Sequence, residues 1–180
     1  MQVSQVLASE WRLALGCTEP AAVAHAAALA ASQGRGAVTR VRLHCDPRTY
    51  KNCYAVGLPN SGRRTGLLWA LALGAVLPDP SLGLRCFQAV TEETQAAAQA
   101  LLDARAVEVE VDPAGDHLCI DVTVEREGGC GRAVIAHEHT RVVRLEADGR
   151  VVGGEGACGG AGTCPSFRAE LAAMSLADLM

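Results

Sequence analysis

Apolar residues recur at helical spacing from Val3 through Val6, Leu7 and Trp11 to Leu15, predicting an amphipathic first helix that Gly16 interrupts. Thr18, Glu19 and Pro20 then precede the Ala-rich run AAVAHAAALAAS, a capping residue, an acid and a proline in the order that opens a helix. Cys17 lies just ahead of that start. His25 falls inside the run, where it is expected to pack rather than to ligate. Val38 to Cys45 alternates apolar and polar residues imperfectly and reads as a strand leading into a loop, DPRTYKN. Another helix is expected over 66–76, ended by Pro78, Asp79 and Pro80. After a short apolar stretch over 82–90, Thr91 caps a further helix, with Glu92 and Glu93 at its positive end, running to about Ala104.

The period then changes to two. Val107, Val109 and Val111 alternate, as do Leu118, Ile120, Val122 and Val124, and the turn residues 113–116 between them predict a hairpin. Strands over 132–137 and 140–146, the second followed by the Asp148-Gly149 turn, extend it into an antiparallel sheet. The expected fold class is α+β, with N-terminal helices and an antiparallel β-sheet meander in the second half. Three regions are expected: an α+β domain over 1–152, a Gly-rich loop over 153–165, and a C-terminal helical segment over 166–180.

Composition narrows the function. With 180 residues and 49% hydrophobic content the chain can bury one sizeable core, and with 3% aromatic residues that core must be mainly Ala, Val and Leu. A net charge of −4 removes the broad basic surface that phosphate-backbone binding needs, so no nucleic-acid partner is expected. The N-terminus lacks the layout of a signal peptide, and the longest apolar runs fall short of the roughly 20 residues of a membrane span. A soluble, cytoplasmic protein with no membrane partner is the expectation. The 8 cysteines form no C-x-x-C pair and are expected to be reduced, with Cys86 and Cys119 acting as small core residues.

Three features could carry chemistry. Lys51 is the single Lys among 16 basic residues, and an amine can lose its proton where a guanidinium cannot; a surface Lys left by chance is the plain alternative. The segment from Gly57 to Arg64 has the glycine spacing of a phosphate loop, but Arg63 and Arg64 replace the required Lys and Ser/Thr, which excludes nucleotide hydrolysis. What remains is a Gly-rich loop entering a helix, suited to a small anion such as a carboxylate, or a sharp turn with no ligand. Cys17 stands at a helix start, a position that lowers a thiol's pKa and favours the metal-binding thiolate; a buried Cys beside a helix-breaking Gly would look the same.

Gly16-Cys17-Thr18-Glu19-Pro20-Ala21 ahead of an Ala-rich helix resembles the GCTEP motif of the L-cysteine desulfidase family, which is related to the alpha chains of iron–sulfur-dependent serine dehydratases. The resemblance continues through Tyr50-Lys51-Asn52, Val56-Gly57-Leu58-Pro59, Gly62, Thr65-Gly66, Ala70 to Gly74, His139-Thr140 and Glu146 to Gly149. It implies a four-iron four-sulfur (4Fe-4S) cluster held by three Cys, with Cys17 as the first ligand and one iron open to substrate. The implied reaction is β-elimination on L-cysteine or L-serine, giving pyruvate and ammonia, with hydrogen sulfide from cysteine. Lys51 and Glu19 are the catalytic candidates under that resemblance. Asn52, Gly57, Ser61, Gly62 and Thr65 are the candidates for holding the small amino-acid substrate.

Two departures shape the expectation. The family continues into a second half that supplies the other cluster cysteines, so the cluster is expected to be shared with a partner chain or a missing C-terminal half. The loop also reads Asn60-Ser61 and Arg63-Arg64 where the family has Gly-Thr and less charge. The alternative readings are a non-catalytic remnant or regulatory domain, and a small metal-binding protein using Cys158 and Cys164.

Overall fold

Residues 13–77 and 79–155 are described by the computed structural model. The expected first helix lies almost wholly outside them, as do the 166–180 segment, Cys158 and Cys164. Apart from Leu13, the described residues belong to one unit, Ala14–Cys158.

Helix α1 (Thr18–Ala31) starts where the acid and proline place it, although the capping position is Cys17, whose side chain makes no cap hydrogen bond. From Pro20 to Ala31 every residue except Leu29 is buried. A helix apolar on all sides has to be covered on all sides. One side of α1 lies on the sheet and another on helix α3 (Leu67–Val76). Small residues make these approaches possible. A Cβ on Gly131 would come within 1.9 Å of the Ala30 carbonyl oxygen, and one on Gly74 within 2.3 Å of the Ala24 carbonyl oxygen. A core poor in aromatics is thus built by close backbone approach rather than by large side chains.

The sheet has six strands: β1 (Val38–Cys45), β2 (Val107–Val111), β3 (Cys119–Arg126), β4 (Gly129–Ala136), β5 (Val142–Ala147) and β6 (Arg150–Gly153), in the spatial order β2-β1-β3-β4-β5-β6. The expected antiparallel meander is present as β3 to β6, and with the helices ahead of it the fold is α+β. The expected hairpin between 107–111 and 118–124 is not. β1 lies between them, with Cys45 opposite Val111 in the parallel β1–β2 pair and opposite Ile120 in the antiparallel β1–β3 pair. Alternation identifies a strand with two unlike faces but does not name its neighbour. A parallel pair needs a long crossover, and residues 46–106 provide it in helices. β6 begins at Arg150, inside the expected domain, and runs into the expected Gly-rich loop at Gly153.

The segment expected as the loop DPRTYKN is mostly helix α2 (Pro47–Cys53). Asp46 caps it, accepting from the backbone N–H of Arg48 at 2.9 Å and of Thr49 at 3.0 Å, with Pro47 in the first turn. The same carboxylate accepts from the Thr49 hydroxyl at 2.6 Å and from the Cys119 N–H at 2.9 Å, tying the ends of β1, α2 and β3 together. Burial alone would raise the Asp46 carboxyl pKa, but these hydrogen bonds outweigh it and hold the group below the usual range. The stretch over 82–90 lies in a 3₁₀ segment, Pro80–Ala89, up to its C-terminal cap Val90. Helix α4 (Glu92–Asp103) has the expected Thr91 cap, whose hydroxyl accepts from the Thr94 N–H while the Thr91 N–H donates back to the Thr94 hydroxyl at 2.8 Å.

The two faces of the sheet differ. Val41, Leu43, Ile120, Val122, Val124, Ala133 and Ile135 are buried against the helices. The outer face is laced by the pairs Arg40–Glu108, Arg42–Glu125, Arg132–Asp121 and Arg144–Glu146. Cys86 is a core side chain as expected; Cys119 is only half-buried, because it shares the outward register of Asp121 and Thr123.

Candidate functional site

The start of α1 and the end of α2 converge on the Glu19 carboxylate. Cys17 Sγ donates to Glu19 Oε2 at 3.1 Å and Thr18 Oγ1 to the same oxygen at 3.2 Å. Asn52 Nδ2, from α2, donates to Glu19 Oε1 at 3.0 Å. Local sequence explains the geometry. Gly16 has φ +82°, a left-handed turn that suits glycine, and it delivers the chain to the capping position at Cys17 while lying against Pro59 of the loop. The Asp46 cap fixes where α2 starts, and thereby which face carries Asn52 toward Glu19.

These bonds decide where the proton sits. Burial by itself would raise the pKa of Glu19, but hydrogen bonds from Cys17, its own backbone N–H, Asn52 and Thr18 prevail and hold it below the usual carboxylate range. The Cys17 thiol is pushed up, first by burial and then by donating to and facing the negative Glu19. This reverses the expected lowering by the helix N-terminus: the nearby carboxylate and desolvation outweigh the dipole. The pair at rest is a thiol donating to a carboxylate, and the sulfur becomes a thiolate only when something cationic or electrophilic takes the place of its proton. Cys53, the residue after Asn52, is fully buried; burial followed by the charge of Glu19 pushes its thiol up as well.

The other sequence candidates lie on α2 and on the loop before α3, and none of them bonds to this pair among the described residues. Lys51 is exposed in the last turn of α2, with no hydrogen-bond or ion-pair partner among the described residues. The 57–66 loop is closed by a bridge between Gly57 and Thr65 and by the Leu58 N–H donating to the Arg64 carbonyl at 3.0 Å. Ser61 is buried inside it, and its hydroxyl donates to the Leu58 carbonyl at 2.7 Å. Gly57, Gly62 and Thr65 are exposed. Gly62 has φ +65°, and Gly66 caps α3 with φ +91° at a point where a Cβ would meet the Tyr54 carbonyl oxygen at 2.7 Å. Direct bonds therefore join Cys17, Glu19 and Asn52, and the Gly16–Pro59 contact brings the loop alongside. Thr18 and Pro59 complete the arrangement, although the sequence marks neither as a site residue: Thr18 reads as a capping residue, and Pro59 meets Gly16 from 43 residues away, which leaves no spacing signal. His25 is buried, and its Nδ1 has no hydrogen-bond partner.

The donor set bears on the expected iron–sulfur cluster. Among the described residues no three His, Cys, Asp or Glu side chains converge to hold a metal ion. At the site Cys17 is partly accessible and Cys53 is buried, so the described residues do not by themselves fit a 4Fe-4S cluster. A groove of about 500 Å³ lies instead on the outer face of the sheet, lined by Arg42, His44, Glu108, Glu110, Asp121 and Thr123 among others. It contains none of the Cys17 constellation, and its Arg42 and Asp121 are committed to ion pairs.

No single helix among the described residues is long and apolar enough to cross a membrane. No family model matches the chain, and no solved structure does. The chain is 40% identical over 147 residues to a UPF0597 protein of Geobacter sulfurreducens, covering 82% of this chain and 34% of the relative. It is 37% identical over 180 residues to a UPF0597 protein of Nitratidesulfovibrio vulgaris strain Miyazaki F, covering 99% of this chain and 40% of the relative. A UPF0597 protein of Clostridium botulinum strain Okra is 28% identical over 150 residues, 83% of this chain and 34% of the relative. The chain thus spans between a third and two fifths of the length of these relatives. They correct the resemblance drawn from the GCTEP string: the proteins this chain is similar to along most of its length are UPF0597 proteins, not L-cysteine desulfidases.

Proposed function

We propose that Cys17, Glu19 and Asn52 are this chain's share of a composite active site for β-elimination on a small amino acid such as cysteine or serine. The observation that carries the reading is the Cys17–Glu19 hydrogen bond, with the proton on sulfur and the charge on the carboxylate. Glu19 orients the thiol and is placed to accept its proton when the sulfur turns ligand or nucleophile. Lys51, two positions from the buried Cys53 and open to whatever completes the site, is the candidate acceptor of the substrate Cα proton. The 57–66 loop, with Gly57, Gly62 and Thr65 exposed, is the candidate for holding the substrate carboxylate. Loss of the Cα proton as the Cβ–O or Cβ–S bond breaks yields 2-aminoacrylate, the leaving group taking up a proton to depart as water or hydrogen sulfide. The aminoacrylate then hydrolyses to pyruvate and ammonia. A 4Fe-4S cluster in the complete site would draw its further sulfur ligands from outside the described residues. Reduced thiols at the site suit a cytoplasmic setting.

A non-catalytic regulatory domain is the second reading, favoured by a thiol that keeps its proton. Anaerobic co-expression with the product of the adjacent reading frame, followed by assays for pyruvate, ammonia and sulfide from L-serine and L-cysteine, separates the two. Turnover by the complex and none by the chain alone supports the composite lyase. A stable complex that turns over neither amino acid supports the regulatory reading.

A further inference from the structure

The chain contains 2 tyrosines, Tyr50 in α2 and Tyr54 at its C-terminal cap, and both are on the surface. Tyr50 is 37% exposed and Tyr54 67%, with ring centroids 5.9 Å apart. The Tyr54 carbonyl packs on Gly66, the cap of α3, whose first turn carries Leu68 at 47% exposure and Trp69 with the Arg64 guanidinium 4.5 Å from its ring centre. Asn52, on the same helix as Tyr50, holds Glu19, so α2 links this surface to the catalytic candidates. A protein with 3% aromatic residues has therefore placed two of them in the open side by side, with the half-buried Trp69 on the neighbouring helix, and Tyr, Trp and Arg are the types that anchor interfaces. Its charges are also uncommitted. Lys51 and Arg63 have no carboxylate partner among the described residues, whereas Arg40, Arg42, Arg132 and Arg144 on the outer sheet face are each paired. The relatives carry 60% or more of their length beyond the matched segment, since the chain covers 40% and 34% of two of them.

We infer that the surface formed by Tyr50, Tyr54, Leu68, Trp69, Lys51 and Arg63 is where the polypeptide that the relatives carry beyond the matched segment docks. Its contact face presents apolar side chains ringed by Asp and Glu. The inference rests on the composite-site reading and adds the place and chemistry of the contact. Apolar anchors give the affinity, and the unpaired cations give orientation and a dependence on salt.

The two tyrosines make the test direct. The 180-residue chain is nitrated with tetranitromethane alone and after co-expression with the unmatched remainder of the Nitratidesulfovibrio vulgaris Miyazaki F relative. In the chain alone Tyr50 and Tyr54 react readily. In the co-purified complex both rates fall at least tenfold, and Tyr54→Ser with Leu68→Ser, or Arg63→Glu alone, reduces the amount of remainder recovered at least tenfold. Failure to co-purify, or a complex in which both tyrosines react at the free-chain rate, overturns the inference. Protection already present in the chain alone, or growing with its concentration, assigns the surface to the chain's own termini or to a second copy and also overturns it. The assay needs no turnover. A protected but inactive complex sinks the lyase reading and leaves this surface standing; an active complex with unprotected tyrosines does the reverse.

Discussion

Gly16 and Pro59 meet so closely that a Cβ on Gly16 would lie 2.7 Å from Pro59 Cγ, in a backbone conformation, φ +82°, that side chains rarely adopt. The glycine before Cys17 is thus required twice, by its own turn and by the loop it touches. Gly16→Ala should cost about 1 to 3 kcal/mol and lower Tm by roughly 5 °C. It should also move Cys17 off Glu19, seen as a changed rate of Cys17 alkylation. An unchanged Tm and rate would show that the contact relaxes freely.

The thiol is restrained by its neighbour as well as by burial. Glu19→Gln removes the negative charge and the strong acceptor that raise the Cys17 pKa, so alkylation by iodoacetamide at pH 8 should become severalfold faster. Cys17→Ser identifies the reacting sulfur by mass. Slower alkylation in Glu19→Gln would mean that the carboxylate activates the thiol at rest instead of holding its proton in place.

Two buried groups set the acid sensitivity of the fold in separate windows. Burial holds the His25 pKa below its ordinary value, against a raising hydrogen bond to the Pro80 backbone. Above about pH 6.5 both folded and unfolded states keep His25 neutral; as pH falls through that value the unfolded chain takes up a proton that the folded chain resists, and stability is lost. The Asp46 pKa is depressed in the folded state, so its contribution is full above about pH 3.9 and is lost as pH falls from there through the folded value. Urea unfolding from pH 8 to pH 3 should show both losses. His25→Leu should flatten the upper one and Asp46→Asn the lower, with Asp46→Asn also less stable at pH 7 by about 2 to 4 kcal/mol. A parent profile flat between pH 7 and pH 5 would contradict the His25 assignment.

Much of the fold was legible in the sequence for physical reasons. The acid, proline and alanine run set the start of α1, the imperfect alternation at Val38, Val41 and Leu43 marked β1, and Thr91 capped α4 as its residue type requires. The Asp46-Pro47 pair was an equally good start signal for α2 that reading the segment as a loop passed over. The insertion of β1 between β2 and β3 could not be read, because pairing depends on what the 46–106 crossover allows rather than on either strand's pattern. At the site, Cys17 and Glu19 stood out within one short string. Asn52 was a candidate for its neighbourhood in sequence, and only the fold shows that its amide reaches Glu19. The direction of the Cys17 shift depended first on burial and then on a carboxylate two residues away whose side chain could have pointed elsewhere.

The most direct measurement is pyruvate formation from L-serine and L-cysteine by the anaerobically co-expressed complex, comparing the parent with Cys17→Ser, Glu19→Gln and Lys51→Arg. A composite site predicts turnover in the parent and losses of at least about a hundredfold in kcat for each variant, the scale of a lost acid–base or ligand group, with complex formation intact. Lys51→Arg is included because it keeps the charge but cannot accept the Cα proton. Parent-like turnover in Cys17→Ser or Glu19→Gln would show that the hydrogen-bonded pair at the start of α1 is structural and that the chemistry lies elsewhere.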